Sequence, residues 1–173
     1  VEDDATLTGA EATTLADLRS AVGAANFTMG THTLTVSDSA GHLAATANPA
    51  WDILATAIEL DSDSVVTAAE AQILLAFGAR FSPNGQSLVV IDTATALSGL
   101  VADSAAVTAL NGWNVPVLLS ADGVLGVAAV EALLQFDGFG PGSHRLIIAD
   151  TAANLLAGAG SPALALASAV RLG

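Results

Sequence analysis

The residues in this sequence best placed to do chemistry are aspartates that recur at fixed distances. Asp4, Asp63 and Asp122 are spaced by 59 and 59 residues, and Asp38, Asp92 and Asp150 by 54 and 58. A regular ladder of carboxylates could bind Ca²⁺, a hard cation that takes about six to eight oxygen ligands. Asp61 and Asp63, with Ser62 between them, form the densest cluster and are the calcium candidates. One aspartate per turn supplies too few oxygens unless neighbouring units cooperate. The EF-hand loop and the glycine-rich calcium nonapeptide are both missing. The second reading of the same six aspartates is structural. A carboxylate closing a strand accepts hydrogen bonds from the exposed N–H groups that begin the next turn or helix.

Other polar groups invite sharper hypotheses. Ser39, Thr93 and Thr151 each come directly after an aspartate and could act as nucleophiles, but a nucleophile needs a base. Repetition at equivalent positions points instead to a satisfied polar ladder within the turns. His32, His42 and His144 lack the i, i+4 spacing of a helical metal pair. The stretch Gly138-Phe-Gly140-Pro-Gly142 is glycine-rich like a phosphate loop. It comes after a helix-like segment and before a strand-like one, the reverse of the dinucleotide-binding order, so it reads as a helix-to-strand turn. Trp51 and Trp113 could stack on sugars if exposed, or fill space beside small alanines if buried. No acid–base, nucleophile or metal constellation emerges, and the expectation is that the chain is not an enzyme.

The elements that must carry these residues are small and repetitive. Three positions after each aspartate of the first series lies Leu7, Val66 or Leu125. Six after lies Ala10, Ala69 or Ala128. Eleven after lies Leu15, Leu74 or Leu133, and fourteen after lies Leu18, Phe77 or Phe136. These are the A units. The B units begin with Leu34-Thr-Val36-Ser-Asp38, Leu88-Val-Val90-Ile-Asp92 and Leu146-Ile-Ile148-Ala-Asp150. Short β-rich runs precede the aspartates at 33–36, 58–60, 88–91, 117–119 and 146–148. Ala/Leu-rich segments of helical spacing lie near 11–22, 44–56, 68–79, 98–110, 127–136 and 163–170.

One strand and one helix cannot bury their apolar sides alone, but stacked copies can. The pattern predicts an α/β fold: a repeat solenoid with a parallel β-sheet covered by helices. It would hold three A–B double repeats of about 58 residues, or six strand–helix units, in a single domain spanning 1–173, with repeats near 1–57, 58–115 and 116–173. Apolar residues stand two and four before the B-unit aspartates but three and five before the A-unit ones. The A turn is therefore expected to be one residue longer.

The string Asp150-Thr-Ala-Ala-Asn-Leu155, with Asp92-Thr-Ala-Thr-Ala-Leu97, Asp38-Ser-Ala-Gly-His-Leu43 and Val66-Thr-Ala-Ala69, resembles the tandem repeats of very large secreted surface proteins of proteobacteria. The resemblance covers essentially the whole chain. It implies an extracellular structural or adhesive role and brings no catalytic residues with it. The layout is similar to that of leucine-rich-repeat solenoids, without their consensus.

Composition narrows the partners. Lys and Arg total 4 against 17 Asp and Glu, for a formal net charge of −13. That balance argues against nucleic acid, whose phosphates need a basic face, and against anionic membrane surfaces. No apolar run reaches the roughly 18 residues a membrane span needs, so no membrane insertion is expected. Cysteine is absent, which excludes a disulfide framework. The chain opens at Val1 without Met and reads as a processed product or an excerpt.

Together these features predict a secreted, extracellular structural module of a bacterial surface layer, filament or biofilm matrix, with no cofactor beyond a possible calcium. Its partners would be other copies of itself or adjacent repeats, joined end to end. The alternative is an adhesin-type binding module that recognises a glycan or calcium through one solenoid face. The end-to-end expectation rests on register. If the chain's end is written before its beginning, Val170, Leu172 and Val1 fall seven, five and three before Asp4, which is where A-unit strands keep their apolar residues.

Overall fold

The computed structural model describes residues 3–47 and 49–173, and seven strand pairings in it are parallel. The chain groups into two units. The first holds the chain up to Val66 together with Glu70–Leu88, and the second holds Thr67–Ala69 together with Val89–Gly173.

The first unit opens with β1 (Ala5–Leu7), α1 (Gly9–Val22) and β2 (Leu34–Asp38). Two short helices, α2 (Ala40–Thr46) and α3 (Pro49–Asp52), then lead to β3 (Ala57–Leu60) and β4 (Ser64–Val66). Next come helix α4 (Ala68–Ala76), a 3-10 turn (Gly78–Arg80) and β5 (Phe81–Ser82). β1, β2, β3 and β5 lie in that order in one parallel sheet. Leu34, Val36, Ile58 and Leu60 alternate inward and are fully buried, with Leu43, Trp51 and Leu74 packed among the core. Parallel strands need apolar residues because helices cover them.

The second unit repeats the run of elements that starts at β2. It contains β6 (Leu88–Asp92), α5 (Ala94–Val101), α6 (Ser104–Gly112), β7 (Val117–Leu119) and β8 (Gly123–Leu125). After these come α7 (Val127–Leu133), β9 (Phe139–Gly140), β10 (Leu146–Asp150), α8 (Ala152–Ala157), α9 (Pro162–Leu166) and β11 (Ala169–Leu172). β7 lies between β6 and β9, while β10 lies between β8 and β11.

The α/β class and the parallel pairing match the expectation from sequence, and several details correct it. The strands are distributed over more than one sheet. In the second unit the chain leaves the β6-β7-β9 ladder at Leu119, turns through Ser120–Asp122, and enters the β8-β10-β11 ladder at Gly123. The A units of Asp63 and Asp122 thus contribute a strand on both sides of the aspartate, and the second of these was not expected.

Each B unit carries two helices where one was expected. An internal cap breaks the helical run. Asp103 accepts the N–H of Ala105 at 2.9 Å, and Ser161 accepts that of Ala163 at 3.2 Å with Pro162 at the first helical position. The run expected to be helical over 163–170 ends at Leu166, and Ala169–Leu172 is strand.

Register also corrects the turn length. Asp38 pairs with Leu60, Asp92 with Leu119 and Asp150 with Leu172. Leu60 and Leu119 stand three residues before Asp63 and Asp122, so the A turn is three residues longer, not one. By the same register Leu172 fills the minus-three place, and Val170 the minus-five place. The end-to-end expectation had put them at minus five and minus seven. Val1, assigned there to minus three, lies outside the described residues.

Candidate functional site

The polar residues singled out by spacing converge on the turns, where two aspartate series make two recurring sets of hydrogen bonds. In the B series, Oδ1 accepts the N–H of the next residue: Ser39 at 2.8 Å from Asp38, Thr93 at 2.7 Å from Asp92, and Thr151 at 2.8 Å from Asp150. Oδ2 accepts the N–H of the first residue of an A-unit helix. Gly9 donates to Asp38 at 3.1 Å, Ala68 to Asp92 at 3.0 Å and Val127 to Asp150 at 3.0 Å. One carboxylate therefore ties its own turn to the start of a second helix, where backbone N–H groups lack partners within the helix. Negative charge there is favoured by the helix dipole.

The hydroxyls next to these aspartates are helix N-caps. Ser39 Oγ accepts the N–H of His42, Thr93 Oγ1 that of Ala96, and Thr151 Oγ1 that of Asn154, at 3.3 to 3.4 Å. Each hydroxyl oxygen is thus engaged by backbone.

The A series staples the loop ahead of the next B strand. Asp4 Oδ1 accepts the N–H of Thr33 at 2.7 Å, Asp63 Oδ1 that of Ser87 at 2.7 Å, and Asp122 Oδ1 that of Arg145 at 2.8 Å. The same three partners return a bond. Ala5, Ser64 and Gly123 donate their N–H groups to the carbonyls of Thr33, Ser87 and Arg145. This reciprocal pair starts the strand pairing at a defined register.

The electrostatics are set by these contacts. Hydrogen bonds from the Asn154 amide and from the N–H groups of Thr151 and Val127 hold the Asp150 carboxyl below the usual carboxylate range. Thr33 does the same for Asp4, and Thr8 for Glu11, its partner in a reciprocal capping box at the start of α1. Bonds to the ionised form favour ionisation.

The histidines join the same turns. His42 Nδ1 lies 3.0 Å from Asp38 Oδ1, and Asn154 Nδ2 donates to Asp150 Oδ1 at 2.7 Å from the corresponding place. His32 and His144 lie 3.8 and 3.7 Å from Asp4 and Asp122.

The calcium candidates do not converge. Asp61 Oδ1 accepts the hydroxyl of Ser62 at 2.6 Å, while Asp63 is engaged with Ser87. Among the described residues no group of three or more His, Asp or Glu side chains is arranged to hold a metal.

Trp51 is fully buried. Its Nε1–H donates to Thr46 O at 2.7 Å, and its ring centroid is 5.5 Å from that of Phe77. Trp113 is half-buried at the end of α6. Gly138 sits against the Val115 carbonyl, where a Cβ would come within 2.6 Å, and leads into β9. Close backbone approach therefore accounts for that glycine.

Spacing alone missed two interactions. Arg80 Nη2 lies 2.7 Å from Asp52 Oδ1, and Nη1 donates to the carbonyls of Asp52 and Ala55. Asn111 donates to Gln135 O and accepts from Asp137 N. Neither residue recurs in the other repeats, so periodicity carried no signal for them.

No helix among the described residues is long and apolar enough to cross a membrane. Comparison with protein-family models, curated proteins and solved structures finds no match to this chain.

Proposed function

We propose that this chain is a structural repeat module of a secreted bacterial surface or matrix assembly, in which three A–B double repeats form a solenoid whose copies stack head to tail. The observation that carries the reading is the threefold recurrence of both aspartate hydrogen-bond sets. Six carboxylates are spent on backbone N–H groups. Side chains committed in this way hold turns and strand starts in place. Such a module gains function by repetition and by its ends, because an unpaired strand edge seeks a partner.

The proposed setting outside the cell rests on the sequence resemblance. It agrees with a chain free of cysteine and with a net charge of −13, which keeps neighbouring assemblies apart. The reading is non-catalytic and uses no cofactor. Immunogold labelling of intact cells of the source organism tests it, with brief external protease treatment alongside. Surface label removed by protease supports the proposal, and label confined to the cell interior overturns it.

A further inference from the structure

β3 and β7 are each flanked on both sides. β3 pairs with β2 and, through Ile58↔Phe81, with β5; β7 pairs with β6 and, through Val117↔Phe139, with β9. β11 takes the same register on β10, with Leu172 opposite Asp150, but among the described residues no strand lies on its far side. The consequence is direct. Ile58, Leu60, Val117 and Leu119 are buried, whereas Val170 and Leu172, at the corresponding places, are 49% and 71% exposed.

The covering element is spare at the other end of the sequence. Phe81 lies eighteen residues after Asp63, and Phe139 seventeen after Asp122. The same offsets from Asp4 fall on Val22 and Ala21. Here the chain is not extended. α1 continues through Val22 and has 14 residues, where α4 has 9 and α7 has 7 before the chain turns into β5 or β9. Leu18 holds the place of the buried Phe77 and Phe136 but is 53% exposed, and Val22 is 42% exposed.

We infer that these two surfaces are the halves of one interface, and that the occupant of the open β11 edge is residues 18–22 of a second copy. Ala21 and Val22 extend alongside Val170, as Phe81 does beside Ile58 and Phe139 beside Val117. Leu18 covers the apolar side chains of β11. The last turn of α1 unwinds to allow this. A helix end exposing Leu18 and Val22 to water gives up little by doing so, since its apolar side chains are then buried. The contact is heterologous, because β11 of one copy meets α1 of the next, and so it propagates. The inference rests on the head-to-tail reading and specifies its joint.

The absence of cysteine makes the test clean. Val22→Cys and Val170→Cys chains are mixed under mild oxidation, with each alone as control. The expected result is a disulfide dimer that pairs the two different variants several-fold more than either variant pairs with itself. In parallel, Leu18→Asp/Val22→Asp and Val170→Asp/Leu172→Asp chains, checked for native circular dichroism, are each run by light scattering. Each alone stays monomeric, and a 1:1 mixture stops at dimers because each chain keeps one working end. If the wild type assembles, and so do both aspartate variants, this joint is wrong while head-to-tail stacking through other surfaces survives. If wild-type chain stays monomeric at millimolar concentration, both fall. Should an aspartate variant not fold, the cysteine pair decides alone, and equal self- and cross-dimers overturn the inference.

Discussion

Asp150 accepts the N–H of Val127 across 23 residues of chain at 3.0 Å, joining the end of β10 to the first turn of α7. The same bond links Asp38 to Gly9 and Asp92 to Ala68. It is a cap supplied from outside the capped helix, so it connects secondary structure to tertiary packing. In α7 it replaces a local cap, because Gly126 stands at the N-cap position with no side chain to offer.

Replacing Asp92 with Ala removes the acceptor for two N–H groups, those of Thr93 and Ala68. The expected cost is about 1 kcal/mol, as for other lost caps. Urea denaturation of the variant measures it. A midpoint equal to the wild type would show that these bonds only replace water.

Glycines give a paired test of the same joint. A Cβ on Gly126 would stand 2.8 Å from Asp150 Oδ2, so Gly126→Ala must push that carboxylate away from Val127. Nothing lies within 4 Å of a Cβ on Gly99, an exposed residue within α5. Gly99→Ala is expected to stabilise by about 0.5–1 kcal/mol through helix propensity. Gly126→Ala is expected to destabilise. Thermal melts of the two variants should move in opposite directions, and a shift of the same sign would contradict the capping role of Asp150.

Acid should unfold the protein through these carboxylates. Asp4, Glu11 and Asp150 are held below the ordinary range by their hydrogen bonds. A carboxyl depressed in the folded state stabilises it above the unfolded pKa, about 4, and that stability is lost as pH falls through the folded value. Repulsion within a chain of net charge −13 works the other way and would favour mild acidification. Salt screens exposed charges over about 8 Å at physiological ionic strength, whereas direct hydrogen bonds keep their strength. At about 0.15 M salt the melting temperature should therefore fall as pH drops from about 4 to about 2. A rise over that range would show that charge repulsion dominates.

Trp51→Ala removes a ring that is fully buried against Phe77 and should cost about 3–5 kcal/mol. Guanidinium denaturation checks this. A loss below about 1 kcal/mol would mean that the core relaxes around the gap.

Periodicity made the repeating parts legible. The Leu-x-Val/Ile-x-Asp strings read as strands because buried parallel strands carry apolar runs, and β2, β6 and β10 formed on them. The strands after the A-unit aspartates were harder to see. Ala5–Leu7, Ser64–Val66 and Gly123–Leu125 are three residues each and share no alternation. They become strands through the bond from the aspartate to the next loop, a contact 23 to 29 residues away. The helix breaks were present as signals in Asp103 and Ser161-Pro162, but the apolar spacing ran across them. Register singled out Val170 and Leu172 at the chain's end, yet their offset depended on the pairing of Leu172 with Asp150, which no local pattern encodes.

Whether the module's ends seek one another is decided by sedimentation velocity of the purified wild-type chain over a wide concentration range, with calcium and with chelator. End-to-end joining predicts a distribution that shifts steadily to larger species as concentration rises, open-ended and the same in both conditions. A single 17.0 kDa species at every concentration would contradict it.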